Sequence, residues 1–272
     1  MATRWRLFAG VTIIVLLVVL GLSRATAREL SGANESPSRS RPGEVEAISG
    51  DDTEPAPEDE PAIEPPRSDP KPPDSRQSTR VAHPDLLLSA AFSQALVGAL
   101  LVGLAWYAEV PPDALGIDDP AGAVLPGAAL GAGLYAANEA GVWVTVRLGI
   151  ESDKALRELL TPETRGEWAL LLLVVLPVVA GVEEFLFRGA LVGALAAGFP
   201  VSPWVLAVLS SVAFGLGHGL QGPGGVLVTG VLGFALAAAF VLTGNLWVVV
   251  VAHYLVNTLE FLVHEGLGVE WG

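Results

Sequence analysis

The 272-residue chain has no cysteine, which excludes disulfides, thiol nucleophiles and cysteine-ligated metals. It has no HExxH segment, so a common zinc-hydrolase signature is missing. No basic stripe interleaved with aromatics is present, and nucleic acid is not an expected partner. Between positions 21 and 84 there is no Phe, Trp or Tyr, while 13 acidic residues, 8 basic residues and many prolines accumulate. Such a stretch cannot bury enough apolar surface to fold. The formal net charge of −14 therefore describes tail and loops and not a partner-binding face.

Beyond position 85 the composition reverses into long apolar runs broken by short polar loops. These runs cover 86–107, 124–148, 168–199, 203–220, 225–242 and 246–263. A membrane helix needs ~20 residues, so the pattern predicts an all-α polytopic transmembrane helix bundle with six core helices. The run 168–199 is too long for one upright span and is expected to tilt or to kink near Pro177. The N-terminus adds Arg4, Arg6, an apolar stretch at 7–22 and Ala25-Thr26-Ala27. This fits either a signal peptide cleaved after Ala27 or an uncleaved signal anchor, which would be a seventh helix. The expected organisation is a leader or anchor at 1–27, a disordered acidic Pro-rich linker at 28–85 and a transmembrane domain at 86–272 of a multi-pass cell-membrane protein. Orientation is argued two ways. The leader sends the linker outside, and with it the 149–167 loop, whereas Arg147, Lys154, Arg157 and Arg165 around that loop argue for the cytoplasm. The leader argument is preferred.

A charge at mid-helix costs ~2.5–3.5 kcal/mol on insertion scales, so polar residues inside the apolar runs need a reason. They are Asn138 and Glu139, then Glu183, Glu184 and Arg188, then His218, and last His253 and Asn257. Residues four apart share a helix face, so Glu184 can pair with Arg188, the only Lys or Arg after Arg165. Glu183 points about 100° away and has no cation on its own helix. A carboxylate in such an apolar setting is what a general base near neutral pH requires. Phe214 and His218 are four apart in "AFGLGHG", where the glycines permit close approach, and His253 and Asn257 are four apart in "VAHYLVN". Each feature also has a structural reading, as an ion-pair clasp or an interhelical hydrogen bond. Asn138 and Glu139 suit a pocket or a partner contact. His264 and Glu265 read as solvated residues at the end of the last helix, and His83 lies in the linker.

Three chemistries fit this set. Ser210 or Ser211 could serve as a nucleophile, although no Asp completes a triad. Glu183, His218 and His253 could ligate zinc with an open fourth position. Alternatively Glu183 and His218 could hold and deprotonate water while His253 and Asn257 donate to an oxyanion.

The segments "EEFLFR", "FGLGH" and "HYLVN" match, in order and spacing, the EExxxR, FxxxH and HxxxN motifs of the CPBP family of intramembrane endopeptidases, which includes the CAAX prenyl proteases. The resemblance covers roughly 167–263. It implies a helical-bundle glutamic protease with a water-filled intramembrane cavity, without metal or cofactor. By this resemblance Glu183 and His218 activate water, His253 and Asn257 stabilise the oxyanion, and Glu184, Arg188 and Phe214 occupy supporting positions. The implied partners are the lipid bilayer and a peptide or membrane-protein substrate, prenylated in one branch of the family. A catalytically silent scaffold or immunity-type member, and a zinc-dependent membrane peptidase, are the alternatives.

Overall fold

The computed structural model describes residues 2–34, 83–117, 119–150, 157 and 160–269. Most of the linker, 35–82, lies outside the described residues. Every regular element among them is helical: α1 (Ala2–Asn34), α2 (His83–Tyr107), α3 (Pro112–Leu115), α4 (Val124–Arg147), α5 (Arg165–Gly198), α6 (Pro203–Gly217), α7 (Gly222–Thr243) and α8 (Leu246–Gly266).

Five of these helices are long and apolar enough to cross a membrane: Thr3–Ala25 within α1, Pro84–Tyr107 within α2, α5, Gly219–Thr243 containing α7, and α8. The chain is thus an all-α, multi-pass membrane protein. Two expected core spans fall outside that set for different reasons. The α4 helix has 24 residues, but its glycines and the Asn138-Glu139 pair dilute its hydropathy. The α6 helix has 15 residues, which at 1.5 Å per residue rise only about 22 Å, short of a ~30 Å hydrocarbon core. Large apolar side chains such as Phe92, Leu96, Trp106, Leu173, Leu209 and Val231 stay on the outer surface, while Glu184 and Arg188 are fully buried. Hydrocarbon as the outer solvent explains that inversion, because it does not penalise exposed apolar groups.

Local sequence sets the helix ends. The Thr164 hydroxyl accepts from the Glu167 N–H at 3.2 Å, and the Glu167 carboxylate accepts from the Thr164 N–H, a capping box that starts α5. The Asn245 side chain accepts from the Trp247 N–H at 2.9 Å and starts α8. Gly244, at φ 63°, takes the left-handed conformation that ends α7. Pro177 does not break α5. A π-helical stretch, Leu171–Val175, precedes it, and the wider i→i+5 turn accommodates the missing N–H. A second π-helical stretch, Phe185–Ala194, carries Arg188.

Small residues let the helices approach closely, as expected where lipid removes the hydrophobic drive between them. The α4 backbone lies against α8 at Gly127 and Gly131; a Cβ at either would come 2.8 Å from the carbonyl oxygen of Val248 or Ala252, respectively. Ala252 directly precedes His253, so this contact fixes the helix that carries it. The N-terminal helix also joins the core. Phe8 and Thr12 are fully buried, Phe8 packs with Ala105, Ala108, Ala190 and Ala194, and the Ser23 hydroxyl donates to the Gly217 carbonyl at 2.6 Å.

The glycine contact is testable in pairs. Gly131→Ala sets a methyl group against backbone that cannot yield, at roughly 1–3 kcal/mol of overpacking against about 1 kcal/mol gained in helix propensity. Gly133→Ala meets nothing within 4 Å. Thermal unfolding in detergent should show a lowered Tm for Gly131→Ala and an equal or higher one for Gly133→Ala.

Candidate active site

Burial separates the two neighbouring carboxylates. Glu184 faces the interior of the bundle with its side chain 0% exposed, whereas Glu183 is 17% exposed. The Arg188 guanidinium, also 0% exposed, donates from Nη1 to Glu184 Oε1 at 2.7 Å and from Nη2 to the Gly233 carbonyl at 2.8 Å. Its Cζ lies 4.6 Å from the centroid of the Phe214 ring, a buried cation–π contact. Gly233 is necessary to this fit, since a Cβ there would approach Phe214 to 2.8 Å. One arginine, paired with Glu184 on its own helix, therefore ties α5 to α7 through a main-chain carbonyl and to α6 through an aromatic face.

Glu184 has a second partner that helical spacing could not reveal. His253 on α8 places Nδ1 2.7 Å from the same Oε1. A carboxylate only accepts, so Nδ1 carries the proton. The other ring nitrogen, Nε2, is thereby turned toward Glu183, 3.8 Å from its Oε2. That Glu183 oxygen is buried without a hydrogen-bond partner. The separation exceeds a direct hydrogen bond and suits one shared water molecule.

His218 caps the end of α6 and directs Nδ1 to the Phe214 carbonyl at 2.8 Å. Nδ1 is again the protonated nitrogen, leaving the Nε2 lone pair free to accept a proton. The Phe214 ring stands between the two histidines, with centroids 4.6 Å from His218 and 5.8 Å from His253. Asn257 is half-buried one turn after His253. The serines have other duties: Ser210 donates to the Phe187 carbonyl and Ser211 to the Ala207 carbonyl, both at 2.6 Å, and both are buried. Glu183, His218 and His253 do not form a set with ligand atoms within 4.8 Å of one another; the one such set among the described residues is elsewhere.

That set is a second polar cluster, formed by residues given little weight from the sequence. Glu139 meets His264 at 3.1 Å, Asn138 donates to Glu260 at 3.4 Å, and Arg157 pairs with both Glu260 and Glu265. His264 and Glu265 are 9% and 16% exposed, so the end of α8 is packed and not solvated as the sequence suggested. The apolar groove between α4 and α7, lined by Leu134, Gly141, Leu227 and Val231 among others, contains none of the candidate catalytic residues.

Residues 165–259 match the family described as Rce1-like, the type II CAAX prenyl endopeptidases. The matched segment includes Glu183, Glu184, Arg188, Phe214, His218, His253 and Asn257, and over it the resemblance read from the three motifs is borne out. It ends before Glu260, so the second cluster is outside it. No curated protein and no solved structure matches the chain.

The two carboxylates should respond differently to the same substitution. Glu184→Gln leaves a buried arginine without its counter-charge, and breaking such a pair costs on the order of 3 kcal/mol. Its Tm in detergent should fall by several degrees. Glu183→Gln removes no direct hydrogen bond, its approach to His253 being 3.8 Å, and should keep a Tm close to the wild-type value. Equal losses in both variants would contradict this division.

Proposed function

We propose that this protein is an intramembrane endopeptidase that hydrolyses a peptide bond with water activated by Glu183. The observation that carries the proposal is the buried, unpartnered Glu183 oxygen facing the nitrogen of a histidine whose other nitrogen is anchored on Glu184. Water held by Glu183 and the free Nε2 of His218 gives its proton to the Glu183 carboxylate as its oxygen attacks the scissile carbonyl. Glu184 holds and orients His253 through the ring Nδ1–H, as a carboxylate does behind a catalytic histidine. The His253 Nε2–H and the Asn257 amide then donate to the tetrahedral oxyanion. Collapse breaks the C–N bond, and Glu183 returns the proton to the leaving amine. One water is consumed, and an acid and an amine are released.

The family description names CAAX prenyl endopeptidases, so a peptide with a prenylated C-terminal cysteine motif is the first substrate to test. Purified protein in liposomes should cleave such a peptide, or its unprenylated counterpart if the lipid is not read, and Glu183→Gln should lower the rate at least ~10²-fold. Full activity in Glu183→Gln would remove the enzyme reading.

A scaffold reading rests on a different observation: Glu184 and Arg188 join α5, α7 and α8 through buried hydrogen bonds. A scaffold would keep its effect in cells when Glu183 is replaced by Gln, whereas a peptidase loses it.

The N-terminal helix belongs to this proposal as a retained anchor. Cleavage after Ala27 would strip Phe8 from its seat among Ala105, Ala108, Ala190 and Ala194, and Ser23 from the turn beside His218. Intact-mass analysis of the mature membrane protein should show residues 2–27 present; a chain starting at Arg28 would contradict retention.

A further inference from the structure

The second polar cluster joins three parts of the chain: α4 through Tyr135, Asn138 and Glu139, the loop before α5 through Arg157 and Thr161, and the end of α8 through Glu260, His264 and Glu265. Among the described residues it gathers three carboxylates, Glu139, Glu260 and Glu265, around the Arg157 guanidinium and the His264 ring; Arg157 pairs with Glu260 Oε1 and, at 2.8 Å, with Glu265 Oε1. Thr161 also donates to the remaining Glu265 oxygen at 2.9 Å. Glu139 and Glu260 Oε2 are left facing His264, with the Asn138 amide donating to Glu260 Oε2 at 3.4 Å.

The tautomer of His264 points to what completes the site. Its Nδ1 lies 2.7 Å from the Val269 carbonyl, which can only accept, so Nδ1 carries the proton. Its Nε2 faces two carboxylates, 3.1 Å from Glu139 Oε1 and 3.9 Å from Glu260 Oε2, on a side chain only 9% exposed. That nitrogen either donates a second proton to Glu139 or offers its lone pair to a cation held between the carboxylates. A ring N–H held by a main-chain carbonyl is also the usual outer support of a metal-ligating histidine. The Tyr135 hydroxyl, one turn before Glu139, is buried beside Glu139 and Glu260.

We propose that Glu139, Glu260 and His264 form a structural site for one divalent transition-metal ion, with Zn²⁺ as its representative. The three ligand atoms all lie within 4.8 Å of one another. Metal–ligand bonds of ~2.0–2.2 Å are then reached by small side-chain rotations. One imidazole and two carboxylates suit Zn²⁺ better than Mg²⁺ or Ca²⁺, which prefer all-oxygen sites. A dication is matched by the Glu139 and Glu260 carboxylates that face it. The ion would tie α4 to α8 seven residues beyond His253, about 10 Å along the helix. It thus clamps the helix that carries His253 and Asn257 without entering their chemistry, and the inference stands whether or not the protein is a peptidase.

The test uses the full-length protein in detergent, stripped with a chelator, dialysed against Zn²⁺ alone and assayed for bound zinc by elemental analysis. One Zn²⁺ per chain is expected, with micromolar or tighter affinity and a higher Tm than the stripped protein. Glu139→Gln and His264→Gln should each weaken binding at least about tenfold, while Glu183→Gln binds as the wild type does. Substituting Co²⁺ in the wild type should give visible absorption bands, a readout that does not depend on any variant folding. Absence of stoichiometric Zn²⁺ in the wild type would overturn the proposal and leave His264 as a protonated partner of Glu139. So would binding that survives both cluster variants, or binding lost in Glu183→Gln.

Discussion

One oxygen atom, Oε1 of Glu184, holds the candidate site together. It accepts from Arg188 on its own helix and from His253 on α8, both at 2.7 Å, in a place that water does not reach. Taking a carboxylate and a guanidinium out of solvent costs several kcal/mol per ion. That cost is offset only if the geometry is good and the remaining donors find partners. The Gly233 carbonyl and the Phe214 face supply part of this, which is why α7 must approach α5 at a glycine, while Arg188 Nε and Glu184 Oε2 stay buried without a hydrogen-bond partner. The helix packing and the site chemistry are in this sense one problem.

The arrangement divides labour between adjacent residues of identical chemistry. Glu184 is spent on structure: it neutralises the arginine and sets which nitrogen of His253 is protonated. Glu183, one position earlier, is the more exposed of the two and makes no direct hydrogen bond through Oε2, which faces His253. Successive helical residues point about 100° apart, so a single Glu-Glu pair delivers one carboxylate to the clasp and one to the cavity.

Part of this was legible in the sequence because it is local. The Glu184–Arg188 pair follows from four-residue spacing, and the apolar runs follow from composition. The Glu184–His253 bond spans 69 residues and two helices, and no periodicity encodes it. The second cluster was misjudged for a related reason. His264 and Glu265 read as solvated because they end an apolar run, and Arg157 read as a loop charge bearing on orientation; only tertiary packing brings them to Glu139 and Glu260. Helix α6 was taken for a membrane span on hydropathy, yet its observed 15 residues end at the turn where His218 is presented. The N-terminal leader carried no packing signal at all, although Phe8 is as buried as any core residue.

The central claim is that Glu184 holds His253 as well as Arg188, and nitrogen NMR of protein labelled at histidine tests it most directly. The account predicts that His253 is protonated at Nδ1, with that proton in a strong hydrogen bond that disappears in Glu184→Asn while the protein remains folded. A His253 protonated only at Nε2, or an Nδ1 signal indifferent to Glu184, would contradict it.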